Sequence, residues 1–214
     1  MRPASVLPPR PTANVDVADN VRVVHDVAGA AALFDDWCNV VVLKRTLGTR
    51  LAVEAQHAAQ QPTFSLIMAV LAEGFRELSD RLVRMPALAE DIGFWARVIA
   101  ELTGCKQVGV RLQRVEVAMC PRWHVDNVVV RVVSAFVGQG TEFTTNGAPG
   151  GRSVSALEAF NRAQGAMNER AEAGDVLFLK GEVWPGNSGR GAVHRSPLAT
   201  REQPRLLLTL DALW

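Results

Sequence analysis

The sequence predicts an α+β fold, with a helical front half packed against a C-terminal antiparallel β-sandwich or jelly roll. Three observations predict it. Apolar residues recur at helical spacing from about 28 to 104. After Cys105 the texture changes to short β-branched and aliphatic runs, and clusters of Gly, Pro and Asn separate those runs.

Residues 1–20 carry Pro3, Pro8, Pro9 and Pro11 and little patterning, so they are expected to form a flexible arm. The remainder, 21–214, is expected to be one domain, with 21–104 a mainly helical support and 105–214 the barrel. In the front half, Phe64, Ile67, Leu71, Phe75, Leu78 and Leu82 fall on one helical face. Met85-Pro86 ends that run, because the residue before proline is pushed out of the α region. A second amphipathic helix follows with Leu88, Ile92, Trp95, Ile99 and Leu102 as its stripe, and Gly104 stands where a left-handed C-cap would fall. The run Val40 to Leu43 is short enough to be a strand. Beyond Cys105 the expected strands are Val108 to Val117, Val128 to Phe136, Val176 to Leu179 and Leu206 to Leu210. The stretch from 151 to 170, with Ala156, Leu157, Phe160 and Ala163, reads as an inserted helix or long loop.

The chain has 214 residues, 48% hydrophobic and 21% charged, which is the balance of a folded globular protein. A net charge of +1 gives no reason to expect nucleic acid or a membrane as partner. Cys38, Cys105 and Cys120 are odd in number and form no Cys-x-x-Cys pair. With no export signal evident and no apolar stretch near the ~20 residues of a membrane helix, they suggest free thiols in a reducing cytoplasm.

Chemistry concentrates around two of the four histidines. In an extended segment His124 and Asp126 project to one side while Val125 faces the other. His194, 70 residues later, can join them across a barrel interior. Two histidines and one carboxylate, with the other positions open, form the ligand set of non-haem iron(II) oxygenases. Arg205 opens the last strand, and its fork suits a carboxylate better than a lysine would. Arg131 is the reserve for that role, whereas Arg195 and Arg201 read as solvated surface residues. Cys120 could complete a closed four-ligand zinc site or simply be a buried thiol. Trp123 and Trp184 could wall a pocket or fill core, and Asn127, Glu142, Lys180 and Asn187 could supply polar contacts there. His25 and His57 read as structural or exposed.

The order His-x-Asp, a distant His and an Arg about ten residues on resembles the 2-oxoglutarate/iron(II) dioxygenase superfamily. So does the strand Gly174-Asp175-Val176-Leu177-Phe178-Leu179. That resemblance implies a double-stranded β-helix of cupin-like form. It also implies iron(II) on His124, Asp126 and His194, and 2-oxoglutarate as small-molecule co-substrate with its far carboxylate on Arg205. A closer resemblance covers most of the chain beyond about residue 30. Cys120 to Asn127, Gly140-Thr141-Glu142, Lys180-Gly181-Glu182, Trp184 to Asn187 and Gly191 to Pro197 look like the bacterial domain of unknown function 1826. That family has no established activity, and its genes often stand beside zinc-homeostasis genes, which keeps zinc as an alternative metal. The expectation is therefore a dioxygenase of unknown main substrate. The alternatives are a cupin-like zinc protein (metal handling or hydrolase) and a non-catalytic binding barrel.

Overall fold

The computed structural model describes residues 20–71, 76–145 and 168–214. The Pro-rich arm, the 151–167 part of the expected insertion and Phe75 lie outside the described residues. In chain order the elements are β1 (Val21–Val24), a 3-10 helix (Val27–Phe34), β2 (Val40–Leu43), α1 (Thr49–Gln60), β3 (Ser65–Leu71), α2 (Arg76–Arg81), α3 (Pro86–Thr103) and β4 (Gln107–Val115). Then come β5 (Val130–Val137), β6 (Glu142–Thr144), β7 (Asn168–Arg170), β8 (Val176–Lys180), β9 (His194–Arg195) and β10 (Arg205–Leu213).

A seven-stranded sheet in the order β1-β2-β8-β5-β10-β4-β3 forms the body, and a three-stranded sheet, β7-β6-β9, faces part of it. Every pairing in the large sheet is antiparallel except β1 with β2. The fold is thus a mixed α/β arrangement around a large, mostly antiparallel sheet.

The front half carries α1, α2 and α3, but it is not a purely helical support. It contributes β1 and β2 to one end of the large sheet and β3 to the other. The segment read as a helix from Phe64 to Leu82 is strand β3 followed by the short helix α2. Six consecutive apolar residues, Leu66 to Leu71, satisfy a helical stripe and a strand equally well. Pairing of β3 along β4, from Ser65 opposite Gln113 to Leu71 opposite Gln107, decides for the strand. Leu66 and Val70 turn inward and Ile67 and Leu71 outward, a period of two.

Helix α3 forms as its sequence directs. Pro86 sits at its start, where the missing N–H is no loss. Gly104 ends it at φ 70°, a left-handed cap, and donates its N–H to Ala100 O at 2.8 Å. Its stripe of Leu88, Ile92, Trp95 and Ile99 packs on one face of the large sheet, against Val110, Leu112, Val132, Phe178 and Leu208. A second apolar cluster fills the space between the two sheets, from Val40, Val133, Leu177, Leu179 and Leu207 to Phe143 and Ala192. Strand alternation assigns β5 and β8 residues to one cluster or the other, and this sorting later decides which side chains reach the site. Among the described residues, no helix is long and apolar enough to cross a membrane.

Ile92 is wholly buried in the helix-to-sheet layer, whereas Val53 on α1 is 63% exposed. Ile92→Ala is expected to cost about 2–5 kcal/mol in urea unfolding. Val53→Ala is expected to stay within about 0.5 kcal/mol.

Candidate metal centre

His124 and His194 are joined as a narrow antiparallel pair, each N–H donating to the other's carbonyl at 3.0 Å. Opposed residues of such a pair put their side chains on the same face, and the two imidazole rings lie 4.4 Å apart between centroids. His194 also stands opposite Phe143 of β6, whose ring belongs to the cluster between the sheets. The face carrying both imidazoles is therefore the inner one. Asp126, two residues after His124, joins them there.

Two main-chain clasps fix this arrangement. Asp126 O accepts Glu182 N at 3.0 Å, and Lys180 O accepts Ala192 N at 2.8 Å, so both ligand segments hang on residues 180–182. Gly181 is required at their junction. A Cβ there would sit 2.0 Å from Val128 O, inside the backbone that carries Asp126. The Glu182 carboxylate accepts the N–H groups of Gly189 and Gly191, ordering the loop that delivers His194.

Each histidine Nδ1 lies on a carbonyl two residues back, at 2.9 Å from Arg122 O for His124 and 3.0 Å from Ala192 O for His194. A carbonyl only accepts, so in the neutral ring Nδ1 carries the hydrogen and Nε2 keeps its lone pair. Both Nε2 atoms turn toward Asp126, His194 at 3.2 Å from Oδ2 and His124 at 3.8 Å from Oδ1. Burial first, and the neighbouring His194 second, lower the pKa of His124, which favours its neutral form. Burial alone would raise the Asp126 carboxyl. The close His194 ring nitrogen, the Arg131 guanidinium and His124 outweigh it and hold the group down at about 2.

One ligand atom from each of the three residues lies within 4.8 Å of the others. Ligands about 2.1 Å from a metal and at right angles would stand about 3 Å apart, so small adjustments of these side chains would seat an ion. Two neutral imidazole nitrogens and a carboxylate form a donor set that fits iron(II). Cys120 is exposed and is not part of this cluster, so a closed cage that includes its thiol is not assembled. All three cysteines are free.

Arg205 lies between the sheets, 1% exposed. Its Nε donates to Gln139 O and one terminal nitrogen reaches Thr141 Oγ1 at 3.4 Å, while Nη1 has no hydrogen-bond partner among the described residues. No carboxylate stands within ion-pair distance of it among the described residues. Burial first and the charge of Arg170 second push its pKa down to about 10, with Glu142 opposing. Thr141 lies two residues before Phe143, the register partner of His194, so Arg205 reaches to about 7 Å along the strand from the His194 row.

Arg131 is engaged otherwise than as a free co-substrate cation. Its guanidinium lies between Asp126 and Asp211, with contacts of 2.7 Å to each. The pocket candidates scatter. Lys180 follows Phe178 on the helix-facing side of β8, where its Nζ donates to Asp35 O at 2.9 Å and lies over the Trp184 ring. Trp184 packs on the same side against Phe34. Asn187 donates to Gly181 O at 3.0 Å and so braces the turn. Asn127 is exposed. Trp123 is buried behind His124 with the Arg195 guanidinium over its ring at 4.4 Å, and Arg195 and Arg170 both pair with Glu142. Thus Arg195 is no solvated surface arginine but part of a brace behind the histidine pair. Among the described residues, Asp211 and Glu182 are the contributors that spacing left without a role. Asp211 shares the alternate positions of β10 with Arg205, and Glu182 precedes a loop whose glycine N–H groups need an acceptor.

The family model described as "protein of unknown function (DUF1826)" matches residues 25–211. No curated protein matches the chain in sequence. Among solved structures, it is similar to the dioxygenase for auxin oxidation of rice, at 14% identity and a TM-score of 0.51, covering 90% of this chain and 83% of that one. It is likewise similar to dioxygenase for auxin oxidation 1 of Arabidopsis thaliana, a binary complex with 2-oxoglutarate. There the identity is 11% and the TM-score 0.51, with 90% of this chain and 92% of that one covered. At such identities the likeness shows a common fold.

Gly181→Ala is expected to displace the Asp126 segment and weaken cobalt(II) binding roughly tenfold or more in a chelator-competition titration. Gly48→Ala is the control, since a Cβ there meets nothing within 4 Å, and it should leave that affinity unchanged.

Proposed function

Because the chain belongs to the family of proteins of unknown function DUF1826, whose description names no reaction, we propose its activity from the site: an iron(II)- and 2-oxoglutarate-dependent dioxygenase. In this reading residues 21–214 form one domain whose two sheets make a double-stranded β-helix, and His124, Asp126 and His194 hold the iron. The free thiols of Cys38, Cys105 and Cys120 suit a cytoplasmic location.

The observation that carries the proposal is Arg205. A buried guanidinium normally has an anionic partner, because leaving such a charge uncompensated costs several kcal/mol. Here the described residues provide Gln139 O and Thr141 Oγ1 and leave Nη1 without a partner. A dicarboxylate whose far end forks onto Arg205 would satisfy that atom, and its near end would point toward the His194 row. The rice and Arabidopsis structures support this reading by fold, and the latter by holding 2-oxoglutarate.

Bound iron(II) would supply the redox chemistry that couples dioxygen to decarboxylation of the co-substrate. The protein's own tasks are narrower. The carbonyls of Arg122 and Ala192 fix the tautomers, so that both Nε2 atoms present lone pairs. Asp126 stays ionised and contributes a single negative charge. His124, Asp126 and His194 would be the three protein ligands of the iron, which would keep its remaining positions open to co-substrate and dioxygen. Phe143, Leu177, Leu179 and Leu207 line the inter-sheet layer and exclude bulk water from it.

The test is Arg205→Met. Anaerobic titration of the iron(II)-loaded protein with 2-oxoglutarate, followed by the weak visible charge-transfer band, should show affinity lower by about 30-fold or more. That corresponds to loss of at least about 2 kcal/mol for a buried charge pair. Apo stability should hold or rise, since an unpaired buried charge has been removed. Unchanged 2-oxoglutarate affinity would refute the assignment.

A further inference from the structure

Four charged side chains connect in series away from the histidines: Asp126, then Arg131 on β5, Asp211 on β10 and Arg111 on β4. Arg131 and Asp211 are register partners on neighbouring strands. Arg111 reaches Asp211 Oδ2 at 3.0 Å from the far side. The side chains of Asp126, Arg131 and Asp211 are only 14, 20 and 18% exposed, so their contacts are poorly screened by water.

The division of the Arg131 guanidinium is informative. Nε and Nη2 form a fork on Asp211, at 2.7 Å to Oδ1 and 3.1 Å to Oδ2. Nη1 alone reaches Asp126, at 2.7 Å from Oδ2. Guanidinium prefers to bind a carboxylate bidentately. An Arg131 free to do so with Asp126 would engage a lone pair on both oxygens and weaken each as a donor to an ion. With its fork already occupied, it makes an ion-pair contact with Oδ2 alone, an oxygen that has no aligned hydrogen-bond donor among the described residues. Asp126 Oδ1 stays available, facing His124 Nε2 at 3.8 Å.

We infer that Asp211 is a decoy carboxylate: by occupying the fork of Arg131 it restricts that guanidinium to one oxygen of Asp126, and so sets the metal affinity of the triad. The inference rests on the metal reading above. Arg131 is then a competitor kept in check, a fixed cation that neutralises the buried Asp126 carboxylate without blocking it. Both residues are positioning groups, acting through Asp126. Arg111 keeps Asp211 compensated when Arg131 is removed.

The probe is cobalt(II), titrated into the full-length apo protein against a chromophoric chelator, with thermal unfolding of each apo variant measured in parallel. Asp211→Asn should weaken cobalt binding roughly 10–100-fold, because the guanidinium closes on both Asp126 oxygens. Arg131→Gln should bind at least as tightly as the parent protein, because the competitor is gone. The double variant Arg131→Gln/Asp211→Asn should recover affinity relative to Asp211→Asn alone. A merely structural role gives the opposite pattern, in which the two losses add and the double variant is weakest. That pattern, or unchanged affinity in Asp211→Asn, overturns the inference while leaving the metal reading intact. Should Asp211→Asn not fold, Arg131→Gln decides alone, and weaker binding by that variant overturns the decoy role. A parent protein that binds no cobalt overturns the metal reading, and this inference with it.

Discussion

Two imidazole nitrogens and a carboxylate, all electron-pair donors, stand within 4.8 Å of one another between the sheets, and holding them there constrains everything behind them. Such groups repel unless a cation lies among them. The chain meets that demand with backbone geometry. A two-residue ladder joins His124 to His194, and the 180–182 segment clasps both strands. The Nδ1 atoms are tied to carbonyls that point both lone pairs the same way. Behind the ladder, Trp123, Arg195, Glu142 and Arg170 form a stack that resists rotation of the pair.

Charge is distributed unevenly around this centre. The Asp126 carboxylate is compensated by Arg131, which it shares with Asp211, whereas Arg205, almost fully buried, has a nitrogen without a partner among the described residues. Local strain of this kind recurs at functional sites, where stability is given up for binding. The contrast between the two arginines separates their roles more clearly than their positions on the strands do. Both lie on inner faces, yet of the two only Arg205 has a terminal nitrogen without a hydrogen-bond partner among the described residues.

The sequence pointed to His124 and Asp126 because a period of two in an extended segment puts them on one side, and the structure brings His194 beside them as a candidate metal group. Helix α3 was legible from Pro86 and Gly104, residues with few alternative uses. Strand β3 was not, since an unbroken apolar run carries no period and its partner β4 lies some forty residues on. Lys180 and Trp184 looked like pocket residues by proximity in sequence. Which face of β8 they occupy depends on whether Leu179 or Phe178 packs between the sheets, a tertiary outcome. Asp211 shows the same limit in reverse. Its alternation with Arg205 is visible, but its partner Arg131 is 80 residues away, and only the sheet order brings them together.

The most direct test of the centre is X-ray absorption at the iron edge of protein loaded with iron(II) under anaerobic conditions. The expected shell has two imidazole nitrogens with their outer-ring scattering, and oxygens at about 2.1 Å. A sulfur scatterer at about 2.3 Å, or protein that retains no iron, would contradict an open centre built from His124, Asp126 and His194.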